Sequence, residues 1–415
     1  MAKTAEEILE ERKQRIADAV QLKKPDRVPF SPFFSFFPAK YSGISCEEYM
    51  YDYDKMYESC KKATLDFEPD QYLNPFPLFA LGSIMEMLDF KQLKWPGHGV
   101  TADRTYQFVE GEYMTADEYD AYLSDSTDYM LRTYLPRVCG SLDPLKMLPN
   151  IPAQYYLRIP RSVAVFGIPE VAGMLEMLLK AGAEGQKMMG KAMAFGAEMT
   201  QLGFPGMFGG TAYAPFDYFG DNFRGTKGMM LDMYRQPDNV IKATEKIMPI
   251  LAASAIADAK RIGVPYIFIP LHKGLDGFMS LEQFEKFYWP TLRELMMSFI
   301  KEDLVPCPLW EGKCDSRLEI IKDISPGKAI YHFEQTDLFR AKEVLGDRVC
   351  IRGGVPVSVL CTGTPEDVEQ HCKNIIEGVG RDGGFIMDGP IGVPDETKPE
   401  NLKAFEETTK KFGIY

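Results

Sequence analysis

Residues 306–339, PCPLWEGKCDSRLEIIKDISPGKAIYHFEQTDLF, read as two consecutive β-strands joined by a helix. The apolar run Leu304–Trp310 is the first strand and runs into Glu311-Gly312. A helix from about Ser316 to Ile324 stops at Ser325-Pro326-Gly327, and KAIYHFE (328–334) is the second strand. Side chains alternate along a strand, so His332 and Glu334 share a face. In a parallel α/β barrel the carboxyl ends of neighbouring strands meet at the active site. Glu311 and His332, with twenty residues between them, are therefore expected to converge there as metal ligands.

The same alternation extends through the C-terminal two-thirds of the chain. A helix over 169–203 leads into the glycine-rich strand end MFGGTAYAPFDYFGDNFRG (207–225), and further helices occupy 236–263 and 280–302. YIFIPLHKG (266–274), RVCIRGGVP (348–356) and GGFIMDGP (383–390) are strands, followed after Gly354 by helices over 364–380 and 398–413. So many units predict a closed (β/α)8 TIM barrel, of α/β class, with an N-terminal helical and irregular extension and an insertion. The expected organisation is one domain over 1–415. Residues 1–165 hold the extension, the first barrel units and the insertion, and 166–415 hold the regular units. FSPFFSFFPAKYSG (30–43) is too rich in proline and aromatics to be one regular element. With the residues before it (26–43) it is expected to form a strand followed by a loop over the barrel mouth, and residues 66–90 to continue as strand, loop and helix.

Composition narrows the function classes. A net charge of −13 argues against non-specific nucleic-acid binding and against attachment to an anionic membrane. No apolar run approaches the ~20 residues that span a bilayer. The N-terminus reads as a charged amphipathic helix capped by Thr4, not as a signal peptide. Eight cysteines without a CxxC pair suit a reducing cytoplasm and exclude thiolate-rich zinc sites. No glycine-rich nucleotide-binding motif is present. Histidine chemistry must come from His98, His272, His332 and His371.

GGTAYAPFDYFGDNFRGTKGMMLDMYRQPD, PLHKGLDGFMSLEQFEKFYWPTL, EVLGDRVCIRGGVPVSVLCTGTPEDVEQHCKNII and GGFIMDGPIGVPDETKPENLKAF resemble the uroporphyrinogen decarboxylase and cobalamin-dependent methyltransferase superfamily. The likeness covers most of residues 200–410 in family order. Uroporphyrinogen decarboxylases grip substrate carboxylates with an N-terminal arginine motif, where this chain has FSPFFSFFPAKYSG. An aromatic segment is not the cationic cleft that an eight-carboxylate tetrapyrrole needs. Thiol-methylating members bind zinc through His-x-Cys and a distant Cys. Here Leu309-Trp310-Glu311-Gly312 takes the first place, and the second falls at about Ile391. Glu311 with His332 instead resembles the ether-cleaving methyltransferases of anaerobic O-demethylase systems.

That resemblance implies zinc-assisted transfer of a methyl group from a methoxylated aromatic to cob(I)alamin, carried on a partner corrinoid protein. Another methyl donor or acceptor, such as a thiol or a methylamine, and a decarboxylase are the alternatives. A non-catalytic corrinoid or tetrapyrrole carrier is a reading of another class. The resemblance also suggests a homodimer. Zinc is expected on Glu311, His332 and a third residue, with His272 favoured over Asp388. His272 is also a candidate general acid, and Glu334 a partner for the imidazole. Phe34, Phe36, Trp310, Asp217 and Asn222 are candidate substrate contacts, with Phe33 and Phe37 completing the aromatic wall. The alternatives are ordinary packing for the aromatics, and a loop ion-pair network for Asp217, Asn222 and Arg224. His98 and His371 are expected to be structural or solvated.

Overall fold

In the computed structural model, which describes residues 3–415, six parallel strands lie side by side in chain order. They are β1 (Gly210–Thr211), β2 (Tyr266–Leu271), β3 (Val305–Trp310), β4 (Ile330–Phe333), β5 (Cys350–Gly354) and β6 (Phe385–Asp388). Two irregular segments close the ring. Met387 N–H donates to the Pro29 carbonyl (2.9 Å), Ser31 N–H to Met387 (3.0 Å) and Asp70 N–H to Phe30 (2.7 Å). On the far side Tyr72 N–H donates to Pro205 (3.0 Å) and Met207 N–H to Tyr72 (2.8 Å). Pro29, Pro32 and Pro205 have no N–H to give, so these two strand positions are reduced to isolated bridges. The result is the expected eight-membered TIM barrel.

The main helices are α1 (Ala5–Val20), α2 (Pro169–Gln201), α3 (Pro237–Ile262), α4 (Trp289–Lys301), α5 (Leu338–Leu345), α6 (Pro365–Ile375) and α7 (Pro399–Phe412). Thr4 caps α1, and Glu7 answers it through a capping box. The helix between β3 and β4 is shorter than its sequence suggests, Leu318–Ile321 after a single 3-10 turn. The Asp323 carbonyl accepts from Arg293 Nε (3.0 Å) instead of a further helical N–H. The insertion folds as a small three-stranded sheet around Leu93–Pro96, with short helices behind it.

Strand alternation sorts the side chains. On β2, Ile267, Ile269 and Leu271 are buried against the helices, whereas Tyr266, Phe268 and Pro270 face the barrel interior and remain partly exposed. On β3, Trp310 points outward, its ring centroid 5.6 Å from Tyr331 and 6.5 Å from Phe284. Glu311, the next residue, therefore points inward. Trp310 is a core residue and not the substrate contact its sequence position suggested.

Candidate active site

Register decides which strand-end residues meet. Leu271 pairs with Trp310, which sets His272 beside Glu311. Leu309 pairs with His332, which sets Glu334 at the level of Glu311 and leaves His332 two residues deeper. His272 Nε2 lies 3.4 Å from Glu311 Oε1, and its Nδ1 lies 2.5 Å from Asp221 Oδ2. Burial alone would lower the imidazole pKa. The hydrogen bonds to Asp221 and Glu311 and the charges of Asp217 and Asp221 instead push it up to about 10.

Asp217 and Asp221 lie one helical turn apart on the short helix after β1, so both reach the end of β2. Asp217 is fully buried and consumed by positioning. It accepts from His272 N–H (2.9 Å), Lys273 N–H (3.0 Å) and Tyr288 O–H (2.6 Å). Burial and the neighbouring Asp221 charge raise its carboxyl to about 6. Burial would raise Asp221 as well, but His272 and the Lys273 ammonium (2.6 Å) hold it below the usual carboxylate range. Asp217 therefore fixes the backbone that carries His272, and Asp221 fixes the ring. Asp221 escaped the sequence reading, although its i, i+4 spacing from Asp217 was there to be used.

An aromatic surface lies below and beside the ring. Phe33, Phe208 and Phe268 form a floor with centroid distances of 5.0 to 6.3 Å. The Tyr213 ring stands 6.2 Å from His272. Burial and the charges of Asp221, Asp217 and Glu311 push the Tyr213 hydroxyl well up, and burial with Asp395 and Glu311 does the same to Tyr106. Both tyrosines thus stay neutral donors beside the carboxylates. Of the expected aromatic wall only Phe33 faces this space, joined by Tyr106, whereas Phe34, Phe36 and Phe37 do not. Phe34 is buried against Phe37 and Phe67, and Phe36 packs behind Tyr106 on Tyr49 and Phe79.

Other expectations are corrected by their partners. His332 Nε2–H donates to the Gly389 carbonyl (2.8 Å) and does not join His272 and Glu311. Glu334 braces the turn at Gly312, accepting its N–H (2.5 Å), and not the imidazole of His332. Asp388 accepts from Arg352 Nε (2.9 Å), Phe33 N–H (3.1 Å) and Gly389 N–H (2.7 Å), which holds the 31–33 segment over the barrel. Asn222 belongs to the insertion contact: its carbonyl accepts from Gln92 (2.9 Å). Arg224 pairs with Asp232 and Glu112. His98 stacks on Trp95 at 4.6 Å, and His371 contacts the Gly354 carbonyl at 3.0 Å.

Two ligands about 2.0–2.2 Å from a tetrahedral zinc stand roughly 3.3–3.6 Å apart. His272 Nε2 and Glu311 Oε1, at 3.4 Å, fit zinc as two of its ligands, with Asp221 as the carboxylate that orients the imidazole. Among the described residues no three His, Cys, Asp or Glu side chains are gathered as a metal-holding group. Of the expected set of Glu311, His332 and His272, only Glu311 and His272 lie side by side.

The uroporphyrinogen decarboxylase (URO-D) family model matches residues 204–412, half of the chain. The chain belongs to the URO-D family. Uroporphyrinogen decarboxylases of Chlorobium luteolum and Chlorobium phaeovibrioides are 24% and 25% identical to this URO-D family member over 213 and 222 residues. Those alignments cover 49% of this chain and 58% of each relative. A methyltransferase from Methanosarcina mazei shares the fold, with a TM-score of 0.65 at 16% identity, over 97% of this chain and 98% of that one. No single described helix is long and apolar enough to cross a membrane.

Burial drives the His332 pKa down to about 4, so the folded barrel keeps this ring neutral. An unfolded histidine protonates near pH 6.5. Stability from this group is complete above that pH and is lost as pH falls toward about 4, where the loss levels off at about 3 kcal/mol. Urea unfolding across pH 4 to 7 is expected to show this slope in the wild type and a flatter one in His332→Gln. Equal slopes would remove His332 as the cause.

Proposed function

We propose that this URO-D family member is a methyltransferase that moves a methyl group from an aryl methyl ether to cob(I)alamin on a separate corrinoid protein. The observation that carries the reading is His272, held between Asp221 and Glu311 above a partly exposed aromatic floor. An aryl ether is a poor methyl donor because its leaving group is a phenolate, so the ether oxygen must gain a partner as the oxygen–methyl bond breaks. His272 holds a proton at Nε2 under its two carboxylates and delivers it to that oxygen. Asp221 keeps the ring oriented, and Phe33, Phe268 and Tyr213 give an aromatic ring a surface to lie on. If His272 Nε2 and Glu311 held zinc instead, Nε2 would carry no proton, and the metal would take the place of that proton transfer by supplying a Lewis acid at the same oxygen.

The cations in the barrel disfavour a polycarboxylate substrate. Lys273 is neutralised by Asp221 and Arg352 by Asp388. The shared fold with a methyltransferase supports the same reading over decarboxylation. Incubation with a methoxyarene and a cob(I)alamin-loaded corrinoid protein is expected to yield methylcobalamin and the free phenol. Metal analysis of the purified protein separates the two routes: zinc that is lost in Glu311→Gln would assign the ether oxygen to the metal, and its absence would assign it to the Nε2 proton. Carbon dioxide release from uroporphyrinogen without methyl transfer would overturn the assignment. Methyl transfer from a methylamine or to a thiol instead would move the substrate class.

A further inference from the structure

The polar groups over the aromatic floor are not all consumed by the protein itself. Glu311 faces His272 through Oε1 (3.4 Å), and Asp395 accepts Phe36 N–H through Oδ1 (3.0 Å). Among the described residues, Glu311 Oε2, Asp395 Oδ2 and the hydroxyls of Tyr106 and Tyr213 have no hydrogen-bond partner. A strap carries Asp395 to this place. Val393 N–H donates to the Phe33 carbonyl (2.8 Å), and Glu396 pairs with Lys40 (2.9 Å). Gly392 stands at φ 111°, and a Cβ there would collide with the Phe33 carbonyl oxygen, so only glycine lets the strap lie this close. Tyr106 packs edge-on against Phe36 (5.9 Å), the residue whose N–H Asp395 holds.

The cations around the mouth are spent or lie outside it. Lys273 is held by Asp221 (2.6 Å), Arg352 by Asp388 (2.9 Å) and Lys40 by Glu396. Lys313 and Arg104 are exposed, where water and salt screen them. His272 is already set between Asp221 and Glu311. A carboxylate on the bound ring would therefore meet Glu311 and Asp395, or else the apolar floor of Phe33, Phe208 and Phe268. It would lose its water in either place without gaining a free cation.

Given the methyl transfer proposed above, we infer that Asp395 and Tyr106 set its specificity: the donor is an uncharged methoxyphenol, and a ring carboxylate is refused. A phenol hydroxyl both donates and accepts, so it can give a hydrogen bond to a free carboxylate oxygen and take one from a tyrosine. A ring carboxylate only accepts. It satisfies the tyrosines at most, and it sets a further negative charge against Glu311 and Asp395. The refusal is thus a repulsive element built into the site, beside the attraction of the aromatic floor. Asp395 acts on the substituents of the ring and takes no part in breaking the oxygen–methyl bond.

Guaiacol and vanillate differ only by a ring carboxylate, so the pair isolates the charge. Calorimetric titration of the full chain, without the corrinoid protein, is expected to show guaiacol binding about 10²-fold more tightly than vanillate. Asp395→Asn keeps an oxygen for Phe36 N–H and removes the charge, and it is expected to narrow that gap about 10-fold. A merely structural Asp395 would shift both affinities together and leave their ratio unchanged. The ratio of kcat/KM for the two compounds, in methyl transfer to cob(I)alamin, is expected to follow the binding ratio. Vanillate bound as tightly as guaiacol, binding of neither, or an unchanged ratio in Asp395→Asn would each overturn the inference. Selective binding of guaiacol without methyl transfer from it would uphold the selectivity and overturn the methyltransferase reading instead.

Discussion

His272→Ala is expected to lower methyl transfer from a methoxyarene about 10³-fold, with KM changed only a few-fold. The ring contacts Asp221 through one nitrogen and faces Glu311 through the other, so no neighbour can take over its position. Asp221→Asn should cost less, about 10-fold to 100-fold, because the ring remains but loses its charged orienter. Single-turnover formation of methylcobalamin, followed by absorbance, separates the chemical step from product release. A His272→Ala enzyme within 10-fold of wild type would show that the ether oxygen is activated elsewhere.

The second large effect is on stability. Asp388→Ala is expected to destabilise the fold by about 3–5 kcal/mol, because it leaves the Arg352 guanidinium buried without its carboxylate. It also removes the acceptor of Phe33 N–H, which helps hold the aromatic segment over the barrel. Asp388→Asn keeps an oxygen for that N–H and should lose less. Urea unfolding of the two variants checks the order, and a loss below about 1 kcal/mol in Asp388→Ala would refute this role. Loosening of the segment should also raise KM for the methoxyarene, since Phe33 forms part of the floor.

Much of the barrel was legible in the sequence because a strand or helix announces itself by the period of its apolar residues. β2, β3, β4, β5 and β6 fall within the stretches read as strands. The strand positions near Phe30 and Tyr72 also fall within stretches read as beginning with a strand, residues 26–43 and 66–90, but proline replaces ladder donors there and leaves single bridges. In the site, His272 and Glu311 were legible as strand-end residues. Trp310 was avoidable as a substrate contact: if Glu311 faces the barrel, its neighbour on the strand cannot.

The sequence by itself determined the barrel, the inward direction of Glu311 and the short set of histidines. Only the tertiary structure decided which histidine meets Glu311. A strand's own alternation says which face a side chain takes but not how deep it sits against the next strand. The pairing of Leu271 with Trp310 and of Leu309 with His332 sets His272 at the level of Glu311 and His332 below it. The long-range contact of Asp221 with His272 then fixes the ring, and no local pattern encodes that contact.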